Sequence, residues 1–123
     1  GIRDRDVTGV QTCALPISRI AQMLLNQGRI EVAGQTRQLL PTQWVQAMTQ
    51  PCPLAPFYGM LTWLNPAGTN FPGTSASSWF MVGAGGNYVW IEPEHQAVVV
   101  VRWLDSAHFA GFCERITAGL KQA

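Results

Sequence analysis

Few residues in this chain have the types and spacing that covalent chemistry requires. A serine nucleophile needs a base within hydrogen-bond reach, and a lysine one helical turn away, spaced Ser-x-x-Lys, is one solution. The only lysine is Lys121, and Ala118 stands three positions before it. A Gly-x-Ser-x-Gly elbow is also absent, since Gly73-Thr74-Ser75-Ala76-Ser77 carries serine where the second glycine belongs. Tyr58 and Tyr88 both fall in segments that read as strands, and neither is followed two positions later by asparagine. Cys13, Cys52 and Cys113 form no CxxC pair, and His95 and His108 are not spaced with them as metal ligands. No metal and no organic cofactor are therefore expected. The odd cysteine count argues for free thiols. His95 reads as a solvated turn residue, and His108 as part of a helix first turn. Glu92 and Glu94 flank Pro93 at what reads as an exposed hairpin end, not as an acid and base pair.

One passage is different. Gly83-Ala84-Gly85-Gly86 follows a strand pattern, and a strand that passes close to a substrate needs residues without bulk. A bulge or packing glycine explains the same run. The five tryptophans, Trp44, Trp63, Trp79, Trp90 and Trp103, are either core or pocket walls. Trp63 and Trp79 flank a long loop and are the best pocket candidates.

The elements that must position these residues follow from periodicity. Ile20, Met23, Leu24 and Gln27 give Arg19–Gln27 a helical spacing, stopped by Gly28. Residues 29–40 read as a polar connection with a short hairpin turn at Ala33-Gly34-Gln35. Pro41 suits the first position of a short helix, on which Trp44, Val45 and Met48 form an apolar face. Residues 58–64 read as a strand. Residues 65–78, rich in Gly, Pro, Ser, Thr and Asn, read as a loop of roughly fourteen residues, a length often associated with function. Trp79–Gly83, Asn87–Glu92 and Ala97–Trp103 read as strands, with a tight turn at residues 93–96. The third is apolar on both faces and must be covered on both. Asp105 or Ser106 caps a last helix, whose stripe is Phe109, Phe112, Cys113, Ile116 and Leu120. That helix covers one sheet face, and little in the chain is expected to cover the other.

Composition narrows the function classes. The 123 residues are 47% hydrophobic and only 12% charged, with net charge +1. About a quarter charged is usual for a soluble domain. Disorder is excluded by this hydrophobicity, and nucleic-acid binding has no basic cluster to support it. The longest aliphatic run, Ala97 to Val101, is far short of the roughly 18 residues of a membrane span.

The segment Val7 to Ile17, VTGVQTCALPI, has neither a helical nor a strand period. It resembles the conceptual translation of a common sequencing-library adapter. Residues 1–17 are therefore expected to be an assembly artefact. Residues 18–123 are then expected to be the C-terminal part of a longer domain.

Three passages carry a family resemblance. They are Ile20 to Arg29 with Leu39-Leu40-Pro41 and Trp44-Val45, then Tyr58 to Asn65 (YGMLTWLN), then Val82 to Trp103 (VGAGGNYVWIEPEHQAVVVVRW). In this order they resemble the C-terminal half of the serine β-lactamase and penicillin-recognising family, in particular class C β-lactamases and related esterases and amide hydrolases. The resemblance implies an α+β fold: part of a β-lactamase/transpeptidase-like architecture, with an antiparallel sheet of three or four strands and a C-terminal helix packed on it. It further implies that two strands from the missing N-terminal half pair beside the last strand, so that Ala97–Trp103 is here an open edge.

The resemblance also implies acyl-enzyme hydrolysis of an ester, amide or β-lactam, with a small-molecule substrate and often a periplasmic or secreted location. The family's serine, lysine and tyrosine would lie upstream of the matched region, leaving this chain inactive. Its inner-strand motif falls on Met81-Val82-Gly83, with Ala84 supplying an oxyanion N–H and Gly85 beside it. Met81 stands where the family has lysine or histidine, which favours an esterase-like relative. The same departure fits a non-catalytic, ligand-binding member of the fold. An unrelated α+β interaction module is the third possibility.

Overall fold

Residues 15–123 are described by a computed structural model; residues 1–14, Cys13 among them, lie outside it, and residues 15–17 of the segment read as an artefact belong to the first helix. The first element, α1, covers residues 15–25. Ala21, Leu24 and Leu25 are its buried positions. It ends in a Schellman motif: Gly28 N–H donates to the Met23 carbonyl at 2.8 Å and Gln27 N–H to that of Leu24 at 3.0 Å. Gln27 takes the left-handed conformation there, with φ 57°.

A hairpin of β1 (Arg29–Val32) and β2 (Gln35–Gln38) follows, paired from Arg29↔Gln38 to Val32↔Gln35. Its two turn residues, Ala33 and Gly34, have φ 50° and 73°, the two positive values a two-residue hairpin turn favours. Helix α2 (Thr42–Met48) has Pro41 as its N-cap, one position earlier than expected. It buries Val45, but Trp44 is exposed rather than part of an apolar face.

Residues 58–64 do not form the expected strand. Only β3, Trp63–Leu64, is extended, with an isolated bridge between Tyr58 and Trp63. The reason is local. Leu61 sits at φ 56° and Gly59 N–H donates to the Thr62 carbonyl at 2.9 Å, so the chain turns on itself. This turn and the preceding prolines leave Leu54 and Leu61 almost fully in solvent, 95% and 83% exposed.

The main sheet is antiparallel with order β3-β4-β5-β6, where β4 is Trp79–Gly83, β5 Asn87–Glu92 and β6 Ala97–Val101. Side chains alternate between its faces. Phe80, Tyr88 and Trp90 point to one face, where the last helix, α3 (Phe109–Gln122), seats Phe109 and Cys113. Phe109 stacks on Tyr88 at 3.9 Å between centroids and meets Phe80 edge-on at 6.0 Å. A buried ring of this kind contributes about 3–5 kcal/mol. A short 3-10 turn, Ser106–His108, precedes α3, and Asp105 caps it by accepting from Ala107 N–H at 2.9 Å.

The other face is better covered than the sequence suggested. Trp79 and Ile91 pack against Ala21, Leu24 and Leu25 of α1 and Val45 of α2. Cover is incomplete towards the β4–β5 turn, where Met81, Val89 and Val100 stay half-buried. Strand β6 ends at Val101, two residues before the expected Trp103, and among the described residues it is the open edge. The chain is thus α+β, with a four-stranded and a two-stranded antiparallel sheet and a C-terminal helix. No helix among the described residues is long and apolar enough to cross a membrane.

Candidate functional site

The inner-strand candidates lie at the far end of β4. Met81, Val82 and Gly83 line an open hollow of about 420 Å³, together with Ile17 of α1, Val100 and Arg102. Ala84, Gly85 and Gly86 form the β4–β5 turn, with Gly83 paired to Asn87. The Ala84 carbonyl accepts from the Asn87 side chain at 2.6 Å, and Asn87 in turn accepts from Arg102 Nε at 3.3 Å.

Two of the glycines in this run are explained by packing within the chain. A Cβ on Gly85 would sit 2.7 Å from the Trp103 ring, and one on Gly86 would overlap the Leu104 carbonyl oxygen. Both have positive φ, 83° and 76°. Leu104 N–H donates to the Gly86 carbonyl at 3.0 Å, tying the turn to the segment after β6. Gly83 has no such close neighbour and is exposed.

Trp79 and Trp63 are not part of this hollow. Trp79 is buried at the opposite end of β4, about 13 Å away at roughly 3.3 Å per residue. It lines a second hollow of about 300 Å³ with Leu64, Asn65, Ser77 and Ser78. Trp63 is 37% exposed, stacked on Phe57 and edge-on to Tyr58. The candidate residues therefore do not converge on one hollow: Met81, Val82 and Gly83 line the first, Trp79 lines the second, and Trp63, Ala84 and Gly85 line neither.

The strongest polar constellation was not anticipated. Glu92, expected at an exposed hairpin end, is 0% exposed. It shares the parity of Tyr88 and Trp90 and so turns to the same face, where the 65–78 loop folds over it. Its Oε1 accepts from Ser75 Oγ at 2.6 Å and from Glu94 N–H at 3.1 Å. Its Oε2 accepts from Ser78 Oγ at 2.6 Å and from Ser75 N–H at 3.3 Å. Burial pushes this carboxyl's pKa up, but the donors from Ser75, Ser78 and Glu94 outweigh it and hold the pKa below its ordinary value. Ser78 Oγ also accepts from Trp90 Nε1 at 3.0 Å.

With both serine hydroxyl protons committed to a carboxylate of depressed basicity, this cluster is an anchor rather than a nucleophile and base. It holds the loop to the sheet, helped by the buried Asn65, whose side chain bonds Thr74 and the Ser75 carbonyl at 2.9 Å each. His95 is also less solvated than expected. Its side chain is 16% exposed, and Nδ1 lies 3.8 Å from Glu92 Oε1 without a hydrogen-bond partner. His108 sits in the 3-10 turn before α3.

Among the described residues no three His, Cys, Asp or Glu side chains are grouped to hold a metal ion. Cys52 and Cys113 are free thiols. Burial, with Glu114 nearby, pushes the Cys113 thiol up to about 12. Compared with known protein families and with curated proteins, the chain matches no family and no individual protein.

Proposed function

We propose that this chain is the C-terminal part of a serine hydrolase related to the β-lactamases. The parent would cleave an ester, amide or β-lactam bond through an acyl-enzyme. The chain would supply the inner strand wall, Met81 to Gly83, and an oxyanion N–H from Ala84. The nucleophile and its bases would come from upstream sequence, and the chain alone would turn over no substrate.

One observation carries this proposal. The antiparallel run β4-β5-β6 is followed by α3 across one face, and an exposed Gly83 borders a hollow that the described residues leave open. The antiparallel sheet with a C-terminal helix on one face is what the three resembling passages imply, and the open hollow beside Gly83 leaves room for a substrate. Met81 favours the second possibility, a ligand-binding member without catalysis, because its side chain packs against the core beneath α1 and offers no cation.

Sequencing the source DNA upstream of the Arg19 codon tests the proposal. The expected result is a continuing frame with Ser-x-x-Lys followed by a tyrosine motif. A continuing frame on the same fold without Ser-x-x-Lys would favour the binding member. A start codon close to Arg19 would sink the hydrolase assignment.

A further inference from the structure

We infer that Arg102 supplies the cation of the hollow beside Gly83, so that the ligand taken there is a carboxylate carried on an aliphatic chain. Met81, where the resemblance implies lysine or histidine, brings no charge to this hollow. The register of the sheet offers a replacement two strands away. Gly83 pairs with Asn87, and Tyr88 with Val101. Arg102, one residue past β6, therefore falls in the same row as Asn87 and Gly83. Adjacent strands lie roughly 4.8 Å apart, which puts the Arg102 backbone about 10 Å from Gly83, a gap that an arginine side chain and a small ligand span together. Side chains of one row share a face. Here it is the face of Met81, Val89 and Val100, which line the hollow with Arg102.

The guanidinium is held in place yet keeps its terminal donors. Its Nε donates to Asn87 Oδ1 at 3.3 Å, and Asn87 is itself fixed by donating to the Ala84 carbonyl at 2.6 Å. Its Cζ lies 5.8 Å from the centre of the Trp103 ring. Among the described residues no carboxylate pairs with it, the one ion pair being His95 with Glu92. The fork of Nη1 and Nη2 is thus open to an incoming carboxylate, which it matches with two parallel N–H···O bonds. Among the described residues Arg102 is also the only charged side chain lining the hollow, whose other walls include Met81, Val89 and Val100. A ligand with one negative charge and an aliphatic chain complements both features. The inference rests on the reading of this hollow as the substrate site and deepens it by adding a carboxylate to the ester or amide substrate. A non-catalytic member would hold a carboxylate ligand by the same contacts. Upstream sequence decides whether the parent hydrolyses anything, and binding decides whether Arg102 reads a carboxylate, so the two can fail separately.

Titrating the full chain with pentanoate, pentanamide and acetate at neutral pH, followed by NMR of the backbone amides and arginine Nε–H groups, tests it. Pentanoate should bind about tenfold tighter than pentanamide, the preference a charge-assisted pair adds. It should also bind at least about tenfold tighter than acetate, because its longer chain is partly buried in the hollow. The signals of Gly83, Asn87 and Arg102 Nε–H should move. Arg102→Gln keeps an exposed polar side chain and leaves the core untouched, and should bind pentanoate and pentanamide alike. Arg102→Lys, which keeps the charge and loses the fork, should fall between the two. Equal binding of pentanoate and pentanamide, a preference that survives in Arg102→Gln, acetate binding as tightly as pentanoate, or no movement at Gly83 and Asn87 would each overturn the inference.

Discussion

Replacing Glu92 by glutamine keeps the side chain's shape and removes its charge, so it isolates what the buried carboxylate does. The carboxylate accepts four hydrogen bonds, two from hydroxyls at 2.6 Å and two from backbone N–H groups. A glutamine oxygen can accept two of these, and its NH₂ faces the remaining donors. Hydrogen bonds to a charged group contribute about 1.5–3 kcal/mol each. Losing two, offset by no longer burying a charge, gives an expected loss of about 3 kcal/mol from a total stability of about 5–15. Urea unfolding followed by tryptophan fluorescence reads this directly. With a slope of about 1–3 kcal/mol per molar, the midpoint should fall by roughly 1–3 M at unchanged slope. Acid titration gives a second readout. The folded pKa of Glu92 lies below its unfolded value, so its contribution is fully present above the unfolded value and lost as pH falls through the folded one. Wild type should therefore lose stability below about pH 4.5, and Glu92→Gln should lose less over that range. A midpoint shift under about 0.5 M, or acid profiles of the same shape, would refute the view that this cluster anchors the loop.

Gly86→Ala should destabilise by more than about 2 kcal/mol, because a left-handed backbone penalty adds to overlap with the Leu104 carbonyl. Gly34→Ala, equally left-handed but with nothing near its Cβ, should cost about 1 kcal/mol. Thermal melts of the two variants compare them, and equal costs would contradict the tight approach at Gly86. Cys113 should resist iodoacetamide at pH 8 in the folded chain and react once urea unfolds it, since its thiol is buried and pushed up to about 12. Peptide mass mapping reads this, and native labelling would show that α3 opens readily.

The sequence showed most clearly those elements whose rule is local. The α3 stripe forms as read, while Asp105 caps the 3-10 turn before α3 rather than the helix itself, and the hairpin turn read at Ala33-Gly34-Gln35 narrows to Ala33-Gly34, with Gln35 already in β2. The β4–β5–β6 run was equally legible. Features that depend on distant residues were not. Glu92 looks solvated because it precedes a proline turn, and its donors lie 14 and 17 residues earlier in a loop whose return path no pattern announces. One signal was available: the alternation that buries Tyr88 and Trp90 puts Glu92 on the same face. Cover of the second face by α1 and α2 depended on tertiary packing. The strand expected over residues 58–64 failed because a single left-handed leucine, Leu61, reverses the chain.

The four-stranded sheet has an unusual chemical composition. From Gln38 to Ile91 the sequence contains no Asp, Glu, Lys, Arg or His, although this stretch includes α2, β3, β4 and nearly all of β5. The next lysine or arginine after Arg37 is Arg102, beyond the end of β6. Trypsin, which cuts after lysine and arginine, therefore has no site inside the sheet whether the chain is folded or fully unfolded. Its digestion products report only on α1, the β1–β2 hairpin and α3, and the peptide from Gln38 to Arg102 survives intact. A protease that cuts after large apolar residues should meet the solvated Leu54 and Leu61 first, and its cleavage there would leave the sheet strands still joined in one piece.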